Sequence, residues 1–166
     1  MSVCDILTRL SYGGTLAADM LLTQLVLGCL MISVTVLIHA VVLDVLVGAL
    51  ERLGPATYKR FRKLWEVPLM MLTVLGVFLA HIIQIWLWAW LFLHLEPETL
   101  PDWETALYFS TSAFTTVGFG DVYLDKDWRL LSAFESANGF ILFGWSTAFI
   151  FEIITKLYRQ DPIRKR

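Results

Sequence analysis

The apolar positions of this chain gather into three long runs that polar residues barely interrupt. The first, LLTQLVLGCLMISVTVLIHAVVLDVLVGAL, covers residues 21–50 and is broken by His39 and Asp44. The second, VPLMMLTVLGVFLAHIIQIWLWAWLFL, covers 67–93 and carries Trp86, Trp88 and Trp90 near its end. The third lies within 129–158. About 20 helical residues cross a bilayer, so each run predicts a transmembrane helix. The first and third exceed that minimum, which implies tilt or extension beyond the hydrocarbon. The expected fold class is an all-α membrane protein with three transmembrane helices.

Between the second and third runs the pattern changes. Pro97 and Pro101 halt the second helix, and PDWETALYFSTSAF then reads as a short helix over 102–114. Asp102 is placed to cap it, with Glu104 and Thr105 in its first turn. A helix of about 12 residues reaches only about 18 Å, so it enters a bilayer without crossing it. The next residues, TTVGFGD at 115–121, suit neither helix nor strand because of Gly118 and Gly120.

Composition agrees with a membrane class: 57% of the 166 residues are hydrophobic and 17% charged, with a mean hydropathy of +0.66. The formal charge of −2 says less than its distribution. Arg52, Lys59, Arg60, Arg62 and Lys63 crowd the connection at 51–66. Lys156, Arg159, Arg164, Lys165 and Arg166 crowd the third helix's end and the tail at 159–166. Basic loops stay cytoplasmic, so the expected arrangement is a multi-pass cell-membrane protein with residues 1–20 outside and the C-terminus in the cytoplasm. The connection reads either as a short interfacial helix over Ala56–Trp65 or as a plain charged linker. No cleaved signal peptide is expected, because the basic n-region is missing. Cys4 and Cys29 suggest no intrachain disulfide. Nothing in the sequence resembles a metal-ligand cluster, a nucleophile–base pair or a cofactor loop, so no enzyme, cofactor or nucleic-acid partner is expected.

Non-helical backbone at membrane depth must be buried in protein or line a water-filled path. The chain leaving the short helix has carbonyls that no neighbour in sequence satisfies, and cations would satisfy them. Glycines at 118 and 120 permit backbone angles that let successive carbonyls face one side. TTVGFGD, set after a half-helix and before a spanning helix, resembles the signature of potassium channels, whose TVGYG-type loops present carbonyls to the ion. The resemblance covers about residues 67–158: outer helix 67–93, pore helix 102–114, filter 115–121 and inner helix 129–158. The helix at 21–50 is an addition to it.

The resemblance implies potassium as the permeant ion. It would be bound by the carbonyls of Thr116, Val117, Gly118 and Phe119 and by the Thr116 hydroxyl. Gly120 would permit the filter geometry and Asp121 would stand at the outer mouth. One chain offers one carbonyl per layer, so the family's fourfold assembly makes this a homotetramer in contact with membrane lipids. Gly139 and Gly144 fall where the family's inner helix has its gating hinge. Tyr108, Phe109, Ser112 and Glu135 become candidate filter supports.

Three departures stand out. Phe119 replaces the commoner tyrosine, and its aligned partner Phe109 also lacks a donor. Tyr108 is able to reach Asp121 instead. Ser112 stands where some members carry a carboxylate. These suggest a filter prone to inactivation or of modest selectivity. Glu96, Glu98, Asp102, Glu104, Asp121, Asp125 and Asp127 outnumber Lys126 and Arg129 outside, which raises local cation concentration. Glu152 is a candidate partner for a basic residue of the first connection, and His39 and His81 are candidates for proton sensing. There is no arginine ladder and no ligand-binding domain is expected, so gating falls to the filter, the crossing near Gly139, lipid or a regulatory partner. The alternatives to a potassium channel are a weakly selective cation channel and a non-conducting regulatory subunit.

Overall fold

The computed structural model describes the backbone of residues 3–160 and the side chains of residues 18–159 except Lys63. Arg164, Lys165 and Arg166, and the side chains of Cys4, Asp5 and Arg9, lie outside the described residues. Four α-helices occur in chain order: α1 Val3–Phe61, α2 Glu66–Leu95, α3 Trp103–Phe114 and α4 Arg129–Gln160. Three of them, α1, α2 and α4, are long and apolar enough to cross a membrane. The fold is the expected all-α membrane class, with no strand among the described residues.

Helix α1 has 59 residues, roughly 90 Å at 1.5 Å per residue, against a hydrocarbon core about 30 Å thick. It therefore extends well past the 21–50 run at both ends. The structure settles the connection at 51–66 in neither of the expected forms. Helix α1 runs on through Pro55 to Phe61, and a 3₁₀ turn at Arg62–Leu64 reverses the chain into α2. Arg62 takes φ +40° in that reversal. Tyr58 packs edge-on against Trp65 at 5.7 Å. Leu50, Trp65, Leu69, Ile153 and Leu157 bury together beneath it, closing the hairpin onto the end of α4. Lys59 and Arg60 occupy the last turn of α1, where cations complement the exposed carbonyls.

Helix α1 packs against both α2 and α4, while α3 is wedged between α2 and α4. Phe134 of α4 lies so close over Gly28 of α1 that an added Cβ would sit 2.5 Å from its ring. The main core joins Met31, Trp88, Phe92, Leu100, Phe109, Phe114, Leu131 and Leu142 around α3. Other apolar residues stay outside: Leu37 is 64% exposed, Phe140 72% and Phe151 71%. Such a surface is stable only against lipid or further protein. Among the described residues, Glu152 pairs with no basic side chain of the first connection. It pairs with Lys156 one turn along at 2.7 Å, an exposed pair worth little.

Candidate functional site

Helix α3 is fixed at both ends. At its start the Asp102 carboxylate accepts from the Thr105 backbone N–H at 2.9 Å, satisfying one of the donors a helix start leaves open. That bond holds the Asp102 carboxyl below its ordinary range. At its finish, the Ser136 hydroxyl of α4 donates to the Ala113 carbonyl at 2.8 Å. Gly139 of α4 rests directly on the Phe114 carbonyl, which a Cβ would approach to 2.0 Å. The family resemblance implies a hinge role for Gly139. Its placement here is a backbone-to-backbone contact between α4 and the end of α3. Gly144 has open space around it.

The loop after α3 folds back on the helix it leaves. The N–H groups of Val117 and Gly118 both donate to the Ser112 carbonyl, at 3.0 and 3.2 Å, and that of Thr116 donates to the Ala113 carbonyl at 2.9 Å. The Phe119 N–H donates to the Ser112 hydroxyl at 3.2 Å. Backbone handedness alternates along this stretch: Thr116, Gly118 and Gly120 have φ of +61°, +59° and +76°. The N–H groups of Thr116 to Phe119 all turn back to one side, toward Ser112 and Ala113. No carbonyl from Thr116 to Gly120 accepts a hydrogen bond among the described residues. Thr116 is the informative residue. A β-branched side chain in the left-handed region is an outlier, costs roughly 1–2 kcal/mol, and marks functional sites when the surroundings enforce it. Its TTVG context was visible in the sequence, but its handedness was not.

Phe119 does not meet Phe109 within the chain. Its ring lies parallel to that of Tyr108 at 6.0 Å, with 9° between the planes, while Phe109 turns inward, edge-on to Phe92 at 5.2 Å. The Tyr108 hydroxyl donates to the Asp121 carboxylate at 2.7 Å. This bond holds the Asp121 carboxyl below its ordinary range and the Tyr108 hydroxyl above its own. A cavity of about 160 Å³ behind the loop is bounded by Tyr108, Ser112, Asp121 and Ser136. The acidic residues divide. Glu96, Glu98, Asp125 and Asp127 share one recess with Trp128, whereas Asp102 stands at the start of α3 and Asp121 at the loop. Burial, and then the nearby Asp125 carboxylate, push the Glu96 carboxyl up, against a hydrogen bond from Thr99 that lowers it.

Glu135 is fully buried behind α3. One carboxyl oxygen is hydrogen-bonded with the Ser110 hydroxyl, and the other has no hydrogen-bond partner. The same hydroxyl also donates to the Ile85 carbonyl of α2 at 2.9 Å. A serine has one hydrogen to give. A protonated Glu135 donating to Ser110 makes both contacts without sharing that one hydrogen. Glu135 and Ser110 thereby tie α4, α3 and α2 in one line, and Ser110 had no distinguishing signal in the sequence. Glu135→Gln, which keeps a donor, should retain the wild-type melting temperature in detergent. Glu135→Ala should lose about 1–3 kcal/mol by stranding a buried polar group and opening a void. Equal damage from both substitutions would refute the neutral-donor reading.

No curated protein and no solved structure matches the chain. The family model described as ion channel matches residues 69–156, more than half of the chain, and takes in α3, the loop and most of α2 and α4. A half-length helix between two spanning helices, followed by a loop of unpaired carbonyls, is the arrangement such a family needs, and the chain belongs to the ion channel family.

Proposed function

We propose that the protein is a potassium channel in which four copies of the chain surround one conduction path. The observation that carries this reading is the alternating backbone of Thr116, Gly118 and Gly120, with its N–H groups turned back on Ser112 and Ala113 and its carbonyls unpaired. The carbonyls of Thr116, Val117, Gly118 and Phe119, with the Thr116 hydroxyl, replace the hydration shell of a potassium ion. Each chain supplies one carbonyl per layer, and the exposed Phe140 and Phe151 of α4 give apolar area for neighbouring copies or lipid. Asp121 and the acidic recess concentrate cations at the outer mouth. The chain resides in a cell membrane, with the basic end of α1 and the tail in the cytoplasm.

The weakly selective reading draws on the hydroxyl that Phe119 lacks. The stacked Tyr108 ring and its bond to Asp121 favour a braced filter instead, with the hydroxyl moved to a different residue. Purified protein in liposomes with a cation gradient tests the proposal. Potassium flux should exceed sodium flux by about tenfold or more, a difference of ~1.4 kcal/mol or more between the ions. Equal fluxes would leave a non-selective cation channel. No flux with either ion, at any voltage, pH or lipid composition, would leave a non-conducting subunit.

A further inference from the structure

Helix α1 lies wholly outside the stretch matched to the ion channel family, yet a closed ring of buried hydrogen bonds ties it to α2 and α4. Gln84 of α2 sits at the centre. Its amide nitrogen donates to the Thr35 carbonyl of α1 at 3.2 Å and to His39 Nδ1 at 3.1 Å, and its oxygen faces His81 Nδ1 at 3.1 Å. On the far side, Ser146 Oγ of α4 lies 3.2 Å from His39 Nε2 and 2.9 Å from His81 Nε2.

The hydrogens in this ring are determined by counting. The Thr35 carbonyl only accepts, so it fixes which end of the Gln84 amide points at it. His39 Nδ1 must then accept, which leaves its proton on Nε2, donated to Ser146. His81 Nδ1 must donate to the Gln84 oxygen, which leaves its Nε2 to accept the Ser146 hydrogen. Every bond is made only when both imidazoles are neutral and in opposite tautomers. A proton added at His39 Nδ1 would confront the Gln84 amide N–H. One added at His81 Nε2 would confront the Ser146 hydrogen.

We propose that the His39–Ser146–His81–Gln84 ring is a proton-binding site that regulates conduction, releasing the grip of α1 on the pore helices when it takes up a proton. This rests on the channel reading. No other titratable or charged group faces the two imidazoles among the described residues. Helix α1 contributes His39 itself, α2 His81, α3 the Phe114 ring, and α4 Phe143, Trp145 and Ser146. The rings lie 5.3 Å apart, and a charge on one meets no counter-ion among the described residues. The link to the filter is short. His81 packs edge-on against Phe114 at 5.8 Å, and Phe114 is the last residue of the pore helix, the one whose carbonyl bears on Gly139. A local titration thus acts on an element the filter stands on.

Two measurements on the full chain in liposomes test this. With ¹⁵N-labelled histidine, solid-state NMR at pH 8 should find the proton on Nε2 of His39 and on Nδ1 of His81. Acidification to pH 4 or below should convert the ring to imidazolium. His94, the third histidine, is exposed and serves as the reference. Over the same range potassium flux should fall by about fivefold or more, within the usual range of allosteric coupling. His39→Gln with His81→Gln should flatten that profile, and Ser146→Ala, which keeps both imidazoles, should displace it. Matching tautomers at pH 8, or a flux profile that neither substitution alters, would overturn the proposal. Absence of flux at every pH would instead count against the channel reading, and the tautomers would still decide the ring.

Discussion

Potassium flux should be abolished by Gly120→Ala and by Gly118→Asp, with helix content and assembly size left as in the wild type. Both glycines have left-handed φ, +76° and +59°, where a side chain costs roughly 1–2 kcal/mol per residue. Nothing lies within 4 Å of a Cβ built at Gly118, and only the Gly118 carbonyl oxygen, at 4.0 Å, is near one built at Gly120. The damage is therefore conformational and not a clash. The cheapest relief is for the peptide to rotate back to negative φ, which turns a carbonyl away from its row. In the proposed fourfold path that removes four ligands from one layer at once. Circular dichroism and the hydrodynamic size of the detergent complex provide the controls, because neither glycine lies within a helix. Near-wild-type flux through the Gly120→Ala protein would mean that ions do not pass along these carbonyls.

What was legible in the sequence followed from length and hydropathy. Three apolar runs required three spanning helices, and a capped segment of a dozen residues was too short to be a fourth. TTVGFGD was legible because glycine at alternate positions has few other uses at membrane depth. Other features depended on tertiary contacts. Gly54 and Pro55 argue for a break, yet α1 continues past them, because the chain folds only where Tyr58, Trp65 and Leu69 find Leu50 and Leu157. Phe119 and Phe109 were paired by alignment, but Phe109 belongs to the inward face of α3 with Phe92. The outward neighbour, Tyr108, takes the ring. His81 and Gln84 stand three apart on one helix face. His39 and Ser146 are 107 positions apart, and only the packing of α1 against α4 unites them.

The crossing of α4 over α3 gives the second large effect. Gly139→Ala should lower the melting temperature of the detergent complex and remove potassium flux, while Gly144→Ala should melt at or above the wild type. At Gly139 an added methyl would lie 2.0 Å from the Phe114 carbonyl oxygen and 2.9 Å from its carbon, both backbone atoms that no rotamer change can move aside. Either α4 shifts outward or the last turn of α3 is displaced. Both responses break the Ser136 bond to Ala113 and tilt the Ser112 carbonyl on which the filter N–H groups rest. Overpacking a close contact costs about 1–3 kcal/mol, and a tetramer would bear it four times. At Gly144 a methyl meets nothing within 4 Å in the chain, and alanine gains about 1 kcal/mol of helix propensity. The two glycines that the family resemblance groups as hinges are thus separable. A bend at Gly139 would drag the pore helix with it, whereas a bend at Gly144 leaves that contact whole. If Gly144→Ala holds its stability but changes open probability while Gly139→Ala fails to assemble, the inner helix moves below the crossing and not at it. A Gly139→Ala protein that melts and conducts like the wild type would show that the filter does not depend on this contact.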